Sequence, residues 1–168
     1  MQHNNLLVEA CQIVSAIVPV NLATAANNGD WVSLKNFDRV TIVVFKGAGT
    51  AGEDPVITLQ QATAVAGTGA KALNFTRIDK KIGTQTGIGA FTTATQAAAN
   101  THTDADSAEA EGLFAIEVQA SDLDVSNGYD CVQVSIPDAG TNAQIGCALY
   151  ILRNARFAGA GLPSAIVD

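Results

Sequence analysis

Two stretches in the last third of the chain decide most of what it can fold into. In 113-LFAIEVQA-120, Phe114, Ile116 and Val118 alternate with Ala115, Glu117 and Gln119. In 131-CVQVSI-136, Val132, Val134 and Ile136 alternate with Cys131, Gln133 and Ser135. A period of two with one polar face belongs to a half-buried antiparallel strand. No amphipathic helix long enough for a parallel crossover separates any pair of strand-like runs, so the sheets are predicted to be antiparallel.

The remaining runs fit this pattern. Gln12–Leu22 reads as a strand that Pro19 pushes to a sheet edge. Trp31–Leu34 is extended, and Arg39–Lys46, apolar on both faces, reads as a central strand. Val56–Ala62, Ala72–Ile82 (Leu73, Phe75 and Arg77 sharing a face) and Gln144–Leu152 complete the set. Asn27–Asp30 and Thr63–Ala70 read as turns, Ser121–Asp124 as one helical turn and Asn127-Gly128 as a tight turn. Gly83–Gly112 contains only Ile88 and Phe91 as large apolar residues and reads as a long segment, mobile or ordered by a partner. The expected fold is all-β: an antiparallel sandwich or barrel, jelly-roll-like, with about eight strands, long loops and extended termini. Residues 1–12 form an N-terminal arm, flexible or a short helix; 13–157 form a single β domain; 158–168 form an extended tail.

With 48% hydrophobic residues, much of it alanine, and only 15% charged, the chain carries small side chains on a β scaffold. Its net charge of −7 is unevenly spread. Seven bases, Lys35, Arg39, Lys46, Lys71, Arg77, Lys80 and Lys81, lie in residues 1–81, and none falls between Ile82 and Leu152. A long acidic half is a poor surface for nucleic acid, which needs clustered cations. Before Lys35 there is no base to supply the start of a secretory leader, and no apolar run is long enough to span a membrane, so a soluble, unsecreted protein is expected. Cys11, Cys131 and Cys147 are odd in number and lack metal-type spacing; they read as reduced, core-type thiols made in a reducing cytoplasm.

Gly47-Ala48-Gly49-Thr50-Ala51-Gly52 matches G-x-G-x-x-G after a strand, but Glu53, Asp54 and Pro55 follow it, then another strand. A dinucleotide site needs a helix N-terminus there, so the stretch reads as a glycine-rich loop and no cofactor is expected. His3 and His102 read as exposed and inert. Asp104, Asp106, Glu109 and Glu111 read as a solvated acidic loop rather than a metal site, since the calcium-loop pattern is not met. Asp122, Asp124 and Asp130 read as turn and cap residues. No catalytic residue is assigned, and a non-enzyme is expected.

Four phrases in order, 28-NGDWVSLKNFDRVTIVV-44, 56-VITLQQATAVAGTGAKAL-73, 113-LFAIEVQASDLDVSNGYDCVQVSI-136 and 148-ALYILRNARF-157, resemble a family of small virion structural proteins of tailed bacteriophages. The resemblance covers most of residues 13–157; the arm, Gly83–Gly112 and the tail after Phe157 depart from it. It implies a capsid decoration or cement protein on the virion surface, made in the bacterial host cytoplasm. Its partner would be the major capsid protein, with homo-oligomers on the particle and neither nucleic acid nor membrane bound. The seven bases named above are the candidate capsid contacts. Alternatives are a head–tail connector or tail component, and a sandwich module binding host glycans through Trp31, Tyr129 or Tyr150.

Overall fold

The computed structural model describes residues 6–83, 89–105, 110–156 and 161–167. Among these residues, one turn of helix, α1 (Leu7–Ala10), leads into twelve strands: β1 (Cys11–Asn21), β2 (Asn27–Asn28), β3 (Val32–Ser33), β4 (Phe37–Lys46), β5 (Val56–Ala62), β6 (Lys71–Ala72), β7 (Phe75–Ile82), β8 (Thr92–Ala99), β9 (Thr101–Thr103), β10 (Gly112–Gln119), β11 (Cys131–Ile136) and β12 (Ile145–Ala155). They form two antiparallel sheets packed face to face. The first runs β1-β12-β4-β10-β7-β8; the second runs β2-β11-β5-β6, with β3 also on β11 and β9 also on β5. The fold is an open sandwich, not a closed barrel.

The alternation read from the sequence sets the core. Val40, Ile42 and Val44 of β4, Phe114, Ile116 and Val118 of β10, and Tyr150 and Leu152 of β12 point inward from the first sheet. Ile57, Leu59, Val132, Val134 and Ile136 meet them from the second. Tyr150 ties the layers together: its hydroxyl accepts the β11 Val134 N–H at 2.7 Å in a fully buried site. Gly29 must stay small there, because a Cβ would come within 2.7 Å of the Val134 carbonyl oxygen and 3.2 Å of the Tyr150 hydroxyl. As Pro19 suggested, β1 is an edge strand, and β4 lies between β12 and β10.

Several expectations need correction. The 27–30 turn contains β2, whose Asn27 and Asn28 pair with Ile136 and Ser135. The single strand expected over 72–82 is two: β6 pairs in the second sheet, the chain crosses at Leu73-Asn74, and β7 continues in the first. An irregularity in β7 between Phe75 and Arg77 shifts the side-chain phase, so Leu73, Phe75 and Ile78 are buried while Arg77 is exposed. The Gly83–Gly112 segment carries two strands, β8 on β7 and β9 on β5, because Thr-rich backbone pairs without needing large apolar side chains. The described end of the tail docks on its own body: Ala165 is buried and its carbonyl accepts the Ser33 N–H at 2.7 Å. Among the described residues, no helix is long and apolar enough to cross a membrane.

Candidate interaction surface

The feature that most invites a function is the outer face of the first sheet. Register places its side chains in rows. Cys147, Phe45 and Leu113 are neighbours across β12, β4 and β10, with Lys81 of β7 beyond. The next row is Ser15, Leu149, Val43, Ala115 and Asp79. The third is Ile13, Ile151, Thr41 and Glu117, and the fourth Cys11, Arg153, Arg39 and Gln119. Two of the rows are thus largely apolar and continue into Ile13 and Ile151. Phe45, Leu149 and Ile13 are about two-fifths exposed, at 39%, 40% and 42%. A strand apolar on both sides belongs to a sheet covered on both faces. Here one face makes the core, and the apolar rows of the other stay partly exposed.

The polar end of this face is a basic cluster. The Arg153 guanidinium donates to both Glu117 carboxylate oxygens at 2.7 Å and to Thr41 Oγ1 at 3.1 Å. Arg39 approaches the same carboxylate at 3.5 Å. Arg77 forks onto Asp79 at 3.0 and 3.1 Å, which holds that carboxyl below its ordinary range, helped by the Thr93 hydroxyl. These side chains and Gln119 line a shallow depression of about 420 Å³. Arg39, Arg77 and Arg153 stand here beside Glu117 and Asp79, so the residues lining this end are net positive on a chain of net charge −7.

The seven candidate bases do not converge. Arg39, Arg77 and Lys81 share the outer face, Lys81 with its ammonium 4.8 Å from the centre of the Phe91 ring. Lys71 is elsewhere, paired with Asp124 and 3.9 Å over the Tyr129 ring. That ion pair, with the Asn127 and Ser126 side chains, lowers the Asp124 carboxyl to about 2. Lys35 is exposed on the loop before β4. Lys46 is buried: β4 phase turns it inward, and its ammonium donates to the Ala110 carbonyl at 2.7 Å. Gly112 makes room for it, since a Cβ there would sit 2.7 Å from the Phe114 ring and 3.3 Å from Lys46 Cγ. Lys80 is paired with the buried Asp104.

That pair also corrects the reading of the histidine and of the acidic loop. The crossing from β8 to β9 brings His102 opposite Ile57 of β5, where it and Asp104 are largely buried. Asp104 is 6% exposed. His102 Nδ1 lies 2.9 Å from Gln96 Oε1, Nε2 is buried 3.9 Å from Asp104, and the ring meets Phe114 edge-on. Burial lowers the imidazole pKa, with Asp104 opposing and Lys80 adding to the shift. His3, Asp106 and Glu109 lie outside the described residues. Among the described residues, no three His, Cys, Asp or Glu side chains converge as metal ligands.

The glycine-rich loop joins β4 to β5 with no helix after it. Glu53 there is a clamp on the loop before β12. Its carboxylate accepts the Thr141 and Asn142 backbone N–H groups at 3.1 and 2.9 Å, and those bonds lower its pKa. Cys11 and Cys131 are buried and Cys147 is half-buried on the outer face; none of the three is in a disulfide.

Neither the known protein-family models nor the curated proteins contain a match to this chain. The interaction surface therefore rests on its own geometry. Sequence reading missed Ile13, Leu149, Ile151, Glu117 and Arg153 as surface partners. The available signal was the double apolar face of residues 39–46, which marks a central strand but does not say which face is open.

Proposed function

We propose that this chain is a non-enzymatic virion structural protein that decorates a bacteriophage capsid and cements its lattice. The observation that carries the reading is the partly exposed outer face of the first sheet, apolar across β12, β4 and β10 and basic at one end. An exposed contiguous apolar patch on a rigid body marks a docking surface. The capsid partner would present apolar and carboxylate groups to it. Of the candidate contacts, Arg39, Arg77 and Lys81 suit this role, and Arg153 joins them; Lys46 and Lys80 are committed inside the protein.

The test is direct. Purified chain is mixed with capsids that lack it and sedimented, and the particle surface is imaged. Saturable binding at lattice positions is expected, with Phe45→Asp and Leu149→Asp strongly weakened. Density at the head–tail junction or on the tail instead would move the protein to those parts of the virion. The glycan reading is less favoured. Tyr150 is buried in the core, the Trp31 indole packs on Gly67, and the Tyr129 ring is occupied by Lys71.

A further inference from the structure

Edges, rather than faces, point to a second partner. The two-residue strands β2, β3 and β6 and the three-residue β9 leave the second sheet little edge to offer. In the first sheet, β1 is guarded: it has Pro19, two register shifts, and an Ala16 carbonyl already taken by the Asp30 N–H. Proline, bulges and short length are how sheet edges are kept from pairing with other chains.

β8 is less guarded: it is eight residues long, 92-TTATQAAA-99, with no proline and no charge, and its single register shift against β7 lies in its second half, between Thr95 and Ala99. Among the described residues its backbone ladder is formed with β7 alone. Five of its eight residues are exposed. Its neighbour β7 carries Arg77, Asp79, Lys80 and Lys81, so the lack of charge is confined to the edge itself.

We propose that two copies of this chain pair edge to edge through β8, antiparallel, extending the first sheet from one copy into the next. A second copy is the fitting occupant because the strand is self-complementary. Three of the first four residues are threonine and three of the last four alanine, so antiparallel pairing mostly sets large against small. With Thr95 opposite Thr95 of the second copy, Thr93 faces Ala97 and the exposed Phe91 faces Ala99, the last residue before the chain turns away into β9. Thr–Thr and β-branched pairs across strands are favourable. Each copy carries −7, so general contact is repulsive, and an uncharged edge is where two copies can approach. The pair is isologous, with its two-fold axis perpendicular to the sheet. Both outer faces then lie on the same side. If the decoration reading holds, on which this consequence alone rests, the dimer bridges two lattice positions. A single strand pair buries less than a standard interface, so association in solution is weak.

Sedimentation of the full chain over a concentration series to roughly 1 mM tests this. A reversible dimer is expected. Thr95→Lys and Thr95→Glu each place like charges opposite each other and weaken it about tenfold or more, while an equimolar mixture of the two restores it. Thermal melts confirm that both variants fold. A wild-type chain that stays monomeric throughout, or a dimer indifferent to both charges, overturns the pairing. A monomer that still saturates capsids overturns the pairing and leaves decoration standing; a dimer that ignores capsids does the reverse.

Discussion

Tyr150 shows how much rests on one atom. Its ring fills the core, and its hydroxyl is the acceptor for the buried Val134 N–H across the two sheets. Burial raises its pKa far above an ordinary phenol, so it stays neutral. Tyr150→Phe keeps the ring and orphans the N–H, which costs about 1–3 kcal/mol. At roughly 2–4 °C per kcal/mol for a chain of this length, the melting temperature should drop measurably; an unchanged melt would show that the bond contributes nothing net. His102 makes a second residue-scale prediction. Its folded pKa lies below the unfolded value of about 6.5, so the folded state resists its protonation. The stability it contributes is complete above that pH and is lost as pH falls below it. Asp79, Glu53 and Asp124 have lowered pKa values too, but their contributions fade only below about 4. Between pH 7.5 and 5.5 the wild type should therefore lose more thermal stability than His102→Gln. Equal losses would place the acid sensitivity elsewhere.

At the scale of the element, β12 separates packing from docking. Leu152 and Leu149 are on opposite faces of one strand, the first fully buried and the second 40% exposed. Leu152→Ala should cost about 2–5 kcal/mol through lost burial and a residual cavity. Leu149→Ala should stay within about 1 kcal/mol in the isolated chain, yet reduce capsid binding. Comparable melting losses would mean that the outer face is covered in the free protein. The β8–β9 strap illustrates a limit of local reading. Nothing in 92-TTATQAAA-99 alternates in hydropathy, so periodicity is blind to it, and its pairing with β7 follows from the hairpin alone.

For the whole molecule, the open face joins an apolar area to a basic cluster, and the two should contribute differently to docking. Exposed ion pairs are worth at most about 1 kcal/mol and are screened by salt, whereas apolar burial contributes roughly 25 cal/mol per Å² and is not. Half-molar salt should therefore slow attachment to capsids without stripping bound protein. The arm adds Leu6, Leu7 and Val8, each more than 60% exposed, and removing residues 1–9 spares β1, which begins at Cys11. That truncation should weaken retention; loss of full-length protein in salt, or undiminished retention of the truncated form, would refute this division. The strands themselves were legible because alternation is a local property: 113–120, 131–136 and 56–62 announce their secondary structure and their buried sides residue by residue. The all-β class and the edge position of the proline strand follow from the same signals. Sheet membership, coverage and burial of charge were not legible, because they depend on pairings between distant segments. The crossing at Leu73-Asn74 and the burial of His102 and Asp104 exist only once β7 lies between β10 and β8 and β9 reaches β5. Residues 39–46 are apolar on both sides in any fold, but it is the packing of the second sheet against one side alone that leaves the other partly exposed.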